Sequence, residues 1–535
     1  MILRDYQTEA ADAVWENLDR NSVVAIPTGG GKSLIIAELC MRACKGWPGT
    51  RILVLQHVKE LVEQNARTIK AHWPLAPVGI YSAGLKRYFV EDITVASVQS
   101  IFRKPARLGV FDIIIVDEAH RIPHSQEGMY HAVFAASPGA KIVGLSATPY
   151  RLGGGLLTDG DTPLFSEIVA EIRTSLLVQR GFLAPIRARH TGAQADLSNV
   201  HTRGGEFVPA EMTAAFDDEA LTATVTSDML RHAAGRRSIM VFACSVEHCQ
   251  HVADKLRASG EQAVAIITGT TPDAERDATV AAFKAGRLRF LVNCDVLTTG
   301  FDAPNVDCIV LLRATKSPGL YVQIVGRGLR ISKATGKTDC LLLDYGGNVE
   351  RHGPLDDITA ERVKKGKGVP PMKTCPQCGD MMPAAAMTCP GCKYEYPPLT
   401  EDERRALNHG TEATTLNPMT AIRRYMVSQA RYARHEKEGG RPSLRVTYTV
   451  TPEGVAPEPV TRFQAAIGAK YISEWICVEH DGYARSKAVR WFARRGCEHT
   501  PNTVDLALEA APALVVPKAI LVKEGKFPEI LSHEF

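Results

Sequence analysis

Across the first 350 residues, short and almost uninterrupted apolar runs alternate with stretches of helical periodicity. Residues 22–26, 51–55, 112–116 and 141–145 are rich in Val, Ile and Leu, with a polar residue only at the first position of each. A strand that is apolar at every position has no wet face, so both of its sides must be covered. That condition calls for a parallel sheet clothed by helices, and residues 33–44 and 57–71 carry suitable helical patterns between the runs. The pattern is then laid down again. Residues 238–242, 263–267, 289–292, 308–312 and 340–343 predict strands, and 247–259, 273–285 and 319–329 predict helices. The fold class is α/β, with two tandem doubly wound parallel-sheet lobes.

The remaining chain divides by composition. The glycine-rich stretch 151–160 is the expected joint between a first lobe at 1–160 and a second at 161–355. Residues 356–400 begin with a basic linker carrying Arg362, Lys364, Lys365, Lys367 and Lys373, then a cluster of four cysteines. Residues 401–535 form an accessory C-terminal α+β domain. A chain of 535 residues exceeds what one core can organise, which agrees with several domains.

Composition excludes little. Apolar residues make up 45% and charged residues 23%, as in ordinary globular proteins, and no apolar run reaches the ~20 residues that span a bilayer. No membrane partner is expected. The start, Met1-Ile2-Leu3-Arg4-Asp5, has no hydrophobic leader pattern. Four of the 13 cysteines cluster and nine are scattered, so a reducing cytoplasm is the expected compartment rather than a secreted, disulfide-bonded one. A net charge of +4 is too small to imply nucleic acid by itself.

Chemistry enters at Ile26-Pro27-Thr28-Gly29-Gly30-Gly31-Lys32-Ser33, which follows a strand and opens a helix. Thr28, Gly29, Gly30 and Gly31 let backbone N–H groups cradle phosphates, and the helix N-terminus adds positive potential. Lys32 would reach the β- and γ-phosphates of ATP, and Ser33 would ligate Mg²⁺. A plain glycine turn is the competing reading; the strand–turn–helix context and the Gly-Lys-Ser ending favour phosphate.

A second buried strand delivers Asp117-Glu118-Ala119-His120 at its carboxyl end, where open α/β sheets place their ligands. Two adjacent buried acids are costly without a partner, so an acidic helix cap explains them poorly. Asp117 suits Mg²⁺, and Glu118 suits activation of the attacking water.

At this point the chain resembles superfamily 2 helicases of the Asp-Glu-Ala-His type over residues 1–350. Asp117 to His120 resembles the second motif of that family and Ser146-Ala147-Thr148-Pro149 the third. Arg4 and Gln7 resemble its adenine contacts. Val54-Leu55-Gln56-His57 and Thr94-Val95-Ala96-Ser97-Val98-Gln99 resemble its strand-binding elements, which implies roles for Gln56, His57 and Gln99. Thr298-Thr299-Gly300-Phe301-Asp302 resembles the fifth motif, with Thr298 and Thr299 implied at nucleic acid and Gly300 and Asp302 at nucleotide. Tyr321 to Arg330 resembles the sixth, which makes Gln323, Arg327 and Arg330 catalytic, the two arginines acting as fingers from the second lobe. The resemblance implies two RecA-like lobes and ATP-driven movement along nucleic acid. Residues 472–485 resemble the tail of helicases encoded by phages and prophages, which implies a host cytoplasm.

Cys375-Pro376-Gln377-Cys378 and Cys389-Pro390-Gly391-Cys392 are two Cys-x-x-Cys knuckles, an arrangement suited to tetrahedral Zn²⁺, with Gly379 and Gly391 expected to permit the turns. Redox pairs would need a βαβ setting that is missing around them. In the C-terminal domain a helix over 483–495 puts Lys487, Arg490 and Arg494 on one stripe, a candidate nucleic-acid contact that reads equally as a solvated basic face. DNA is favoured over RNA as the track, because the phosphate loop, the Thr148-Pro149-Tyr150-Arg151 continuation and the two cysteine knuckles, which resemble a zinc ribbon, look like DNA-directed members. A duplex translocase without unwinding, an RNA helicase and an ATP-switched binding module are the competing readings. Replication or recombination proteins are candidate partners of the C-terminal domain.

Overall fold

The computed structural model describes residues 1–123, 127–151, 155–159, 163–297, 303–355, 372–384, 386, 388–389, 391–396, 422–436, 440–453, 470–480, 482–523 and 529–535. The chain forms two units, Met1–Pro418 and Met419–Phe535.

The first unit holds both parallel sheets. The first runs in the order Glu167–Glu171, Ser22–Ala25, Lys141–Ser146, Ile113–Asp117, Ile52–Gln56, Ile93–Ser97, Val78–Ser82 and Arg87–Tyr88, and only the last pairing is antiparallel. The strands Ser22–Ala25, Ile52–Gln56, Ile93–Ser97 and Ile113–Asp117 are buried at every position, as near-continuous apolar runs require. The second sheet runs Ile186–Arg189, Cys340–Asp344, Cys308–Leu312, Ile239–Ala243, Phe290–Asn293 and Val264–Ile267, all parallel. Each inner Val or Ile removed from water contributes about 1.5–3 kcal/mol, so the register of these strands is strongly fixed.

The expected boundary at residue 160 is corrected. Leu157 and Phe165 are both fully buried in the core of the first lobe, and Glu167–Glu171 is an edge strand of its sheet. The glycine-rich stretch is therefore no joint; its described ends pair as a small hairpin, Tyr150–Arg151 with Gly155–Leu156. The chain passes to the second sheet later, through the helix Thr174–Gln179.

The four-cysteine segment makes a hairpin of Met372–Thr374 and Met381–Pro383 that lies against the edge strand Ile186–Arg189. The second unit is a five-stranded antiparallel sheet ordered Lys470–Ile476, Ser443–Pro452, Ile422–His435, Ala519–Lys523 and Glu529–Glu534, with the helices Gly482–Ala493 and Val504–Ala510 sharing its core.

Candidate nucleotide site and metal cluster

The phosphate loop is shaped by its glycines. Gly29 and Gly31 take φ of 82° and 91°, left-handed values that cost a residue with Cβ on the order of 1–2 kcal/mol. At Gly30 a Cβ would lie 2.6 Å from Cγ1 of Ile26, so the unusually large residue at the head of the loop uses the room that Gly30 leaves. Gly31 caps the helix Lys32–Gly46, which places Lys32 and Ser33 in its first turn.

Beside the loop, the helix Asp5–Glu16 aims two side chains at one carbonyl. Gln7 Nε2 and the Tyr6 hydroxyl both donate to Gly30 O, at 3.0 and 2.9 Å, while Gln7 Oε1 accepts from the backbone of Arg4. The Arg4 guanidinium lies 4.0 Å over the ring of Phe182. Tyr6 and Phe182 escaped the sequence reading; Phe182 comes from the turn between the lobes, where no pattern marks it.

Strand Ile113–Asp117 ends in the acidic pair. Asp117 is buried, accepts a hydrogen bond from the backbone of Glu118 at 3.0 Å, and receives the Asn65 amide at 3.4 Å. Burial raises its pKa, with Lys32 opposing. Glu118 has φ of 55°, a strained value that turns its side chain back toward the loop. Its carboxylate lies 2.6 Å from Lys32 Nζ. Burial works to raise its pKa, but the Lys32 ammonium outweighs this and holds it low, so Glu118 is ionised.

His120 joins three motifs. Its Nδ1 is 3.0 Å from Ser146 Oγ and its Nε2 2.9 Å from the Gln323 amide nitrogen. The Ser146 hydroxyl already donates to Thr148 O, so it accepts from His120; the amide nitrogen of Gln323 can only donate. Both constraints select the neutral Nδ1–H tautomer, and burial agrees, lowering the pKa of His120 to about 4.

Gln323 belongs to the second lobe, on the helix Pro318–Val325. The 3₁₀ turn Gly326–Leu329 follows and carries Arg327, which is only 8% exposed and whose charge helps hold Glu118 ionised. The turn sits on the phosphate loop. A Cβ at Gly326 would meet Thr28 at 2.9 Å, and one at Gly29 would meet Cγ of Arg330 at 3.3 Å. Lys337 clamps the turn from below, donating to Gly328 O and Arg330 O at 2.7 Å each, and Ala184 N donates to Leu329 O at 2.6 Å. The lobe-two arginines and the lobe-one phosphate loop thus face each other across one cleft.

Other sequence-predicted contacts are scattered. Gln99 is exposed and donates to His57 O at 2.9 Å, so these two lie together at the surface. Gln56 is corrected: it is fully buried at the end of strand Ile52–Gln56 and cannot touch a strand directly. Thr298, Thr299, Gly300 and Asp302 lie outside the described residues. In the second unit Lys487 and Arg494 are exposed and Arg490 is half-buried. Arg495, one residue on, is fully buried and donates to the Tyr448 hydroxyl at 2.7 Å.

The sulfur atoms of Cys375, Cys378, Cys389 and Cys392 all lie within 4.8 Å of one another, a spacing that suits a tetrahedral metal ion. Gly379 takes the left-handed φ of 73° in the first knuckle, but in the second that position is Lys393, at 65°. Gly391 serves closeness instead: a Cβ there would strike Asp380 and Arg187. Asp380 is buried and accepts from Arg187 at 2.7 and 2.9 Å and from Arg189 at 3.3 Å, tying the cluster to the second lobe.

Residues 1–151 match the family model for the res subunit of type III restriction enzymes, and residues 222–332 match the helicase conserved C-terminal domain. The chain is a superfamily 2 helicase. ATP hydrolysis goes with that membership. The helicase is 28% identical to a 51.5 kDa protein of Lactococcus phage (isolate 7-9) over 70% of its length and 78% of the relative's. It is 29% identical to a protein assigned as the ATP-dependent helicase IRC3 of Saccharomyces cerevisiae, over 65% of its own length and 52% of the relative's. The helicase thus spans about half of that yeast relative. Among solved structures it shares the fold of a fragment assigned as the HsdR subunit of a type I restriction enzyme from Vibrio vulnificus YJ016, with a TM-score of 0.50, 22% identity and 66% of each chain covered. No helix among its described residues is long and apolar enough to cross a membrane.

Proposed function

We propose that this helicase hydrolyses ATP between its two lobes and uses the resulting opening and closing to move along DNA and separate strands. One observation carries the reading: the arginine turn of the second lobe is seated on the phosphate loop of the first, with Gln323 bonded to His120 across the cleft. A site assembled from two lobes can sense and drive their separation, which a one-lobe switch cannot.

Lys32 is the phosphate ligand. Its ammonium now neutralises Glu118, so phosphate oxygens that draw it away leave Glu118 with less positive charge nearby and a higher pKa, better matched to taking a proton from water. Asp117 and Ser33 are placed to hold Mg²⁺, which supplies charge neutralisation at the phosphates. Arg327 and Arg330 stabilise the charge that develops during transfer. Arg4, Gln7 and Phe182 surround the base. The four cysteines would hold Zn²⁺ in a structural role, every ligand on offer being a thiolate.

DNA is favoured over RNA by the restriction-enzyme likeness of the first lobe. The test is ATPase rate with single-stranded, duplex, forked and RNA ligands, set beside strand and triplex displacement. Stimulation by DNA with strand displacement supports the reading. Triplex loss without unwinding reassigns the motor to duplex translocation, and stimulation by RNA alone sinks the DNA assignment.

A further inference from the structure

The C-terminal sheet has one buried and one open face. On strand Ser443–Pro452, Leu444, Val446, Tyr448 and Val450 point into the core. The intervening positions point outward, in register with their neighbours. Arg445 lies opposite Trp475, Thr447 opposite Ser473 and Thr449 opposite Tyr471; on the other side Arg431 lies opposite Thr447. Trp475 and Tyr471 are 49% and 51% exposed, so two large rings stand in solvent on the same face of one strand. They stand four residues apart on one strand, about 13 Å. His435 packs edge-on against Trp475 at 5.9 Å, and the hydroxyls of Thr447 and Ser473 bond to each other at 2.9 Å, so the face is ordered.

Around the two rings its charge has one sign, the carboxylates Glu453 and Glu534 lying at the far end of the sheet with Arg424. Arg431 and Arg445 are exposed, and neither is ion-paired among the described residues. The strand's own carboxylate, Glu474, points inward, where the Tyr448 hydroxyl, the Trp491 indole and His533 hold it at 2.6–2.8 Å. The cross-strand rows through Trp475, Ser473 and Tyr471 present no carboxylate outward.

We infer that this face binds single-stranded nucleic acid, with bases stacking on Trp475 and Tyr471 and phosphates meeting Arg431 and Arg445. Flat aromatics accept any base, and unpaired arginines on a rigid sheet meet a phosphate backbone with little ordering cost. The inference extends the motor reading with a second grip, outside the lobes; it places the grip on the sheet rather than on the Lys487 stripe.

The test uses the full chain and labelled oligodeoxythymidylate and oligouridylate, without nucleotide. Tyr471→Ala with Trp475→Ala should weaken binding about tenfold or more, while Tyr471→Phe with Trp475→Phe should stay within about threefold of wild type. Arg431→Gln with Arg445→Gln should flatten the dependence of log Kd on log salt by about 1.4, two phosphates at about 0.7 each. Basal ATPase should be unchanged throughout. The stronger of the two oligonucleotides identifies which strand the face serves. Wild-type affinity in the double alanine variant overturns the inference, as does equal loss in the alanine and phenylalanine pairs. The motor reading fails separately, when nucleic acid does not stimulate wild-type ATPase.

Discussion

Lys337 has no reason to matter from its place in the sequence, yet replacing it with methionine should slow hydrolysis severely. Its ammonium is the donor to two carbonyls of the arginine turn, Gly328 and Arg330, at 2.7 Å each. A hydrogen bond to a charged group contributes roughly 1.5–3 kcal/mol, so losing both weakens the seated turn by about 3 kcal/mol. That converts to a fall in kcat of up to about a hundredfold. The remaining supports, Ala184 N to Leu329 O and the packing of Gly328 on Cys340 and Ile186, keep the loss below the roughly 10³-fold or more expected when a finger itself is removed. The Lys337 ammonium is spent on carbonyls of the turn, so KM for ATP should change by less than about threefold. Steady-state ATPase at saturating nucleic acid reads both constants. The decisive comparison is Lys337→Met with Arg327→Ala: because the lysine works through the turn, the double variant should be no slower than Arg327→Ala alone. A multiplicative loss in the double variant, or a kcat within threefold of wild type in Lys337→Met, would refute the positioning role.

Glu118→Gln should reduce turnover to background while nucleotide still binds, and Lys32→Ala should lose both; isothermal titration beside an ATPase assay separates them, and retained turnover in either sinks the assignment. Protonating His120 breaks the bond it accepts from Gln323. Its folded pKa of about 4 lies below the ordinary 6.5, so it contributes about 3 kcal/mol that is full above pH 6.5 and lost as pH falls toward 4. Asp117, with its raised pKa, works the other way, so the measurement is the difference in stability against pH between wild type and His120→Gln; parallel curves would contradict it. Cys375→Ser should release one equivalent of zinc and open 372–396 to proteolysis, with most basal ATPase retained; protein that carries no stoichiometric zinc overturns the metal claim.

Four inner strands of the first sheet were legible within about a residue because a strand covered on both faces is apolar nearly throughout, whereas Val78–Ser82 and Ile93–Ser97, with Gly, Ser and Thr among their residues, were not read as strands. The motifs were legible because phosphate chemistry demands particular residues in a fixed order. Legibility failed at edges and in loops. Glu167–Glu171 has only three apolar residues between two glutamates and follows a glycine-rich run, so it falls to the second lobe in the sequence although it completes the first sheet. Arg494 and Arg495 are indistinguishable in a helical pattern, yet one is exposed and the other has no exposed surface, because only tertiary packing supplies Tyr448 as a partner for the second. Lys393 holds a left-handed turn that sequence habit gives to glycine. The clamp by Lys337 needs three-dimensional proximity that no spacing rule announces.

The Asp380 tie has a consequence for handling the protein. Ile186–Arg189 is the outermost strand of the second sheet, and the cysteine hairpin lies along it through the Arg189–Asp380 bridge and the bond from His190 N to Gly379 O. An uncovered strand edge is a template for another chain. Loaded with the proposed zinc, the cysteine cluster would therefore double as a guard against self-association: cells starved of zinc should yield aggregates of this protein before they yield a slow enzyme, and chelation should show first in light scattering.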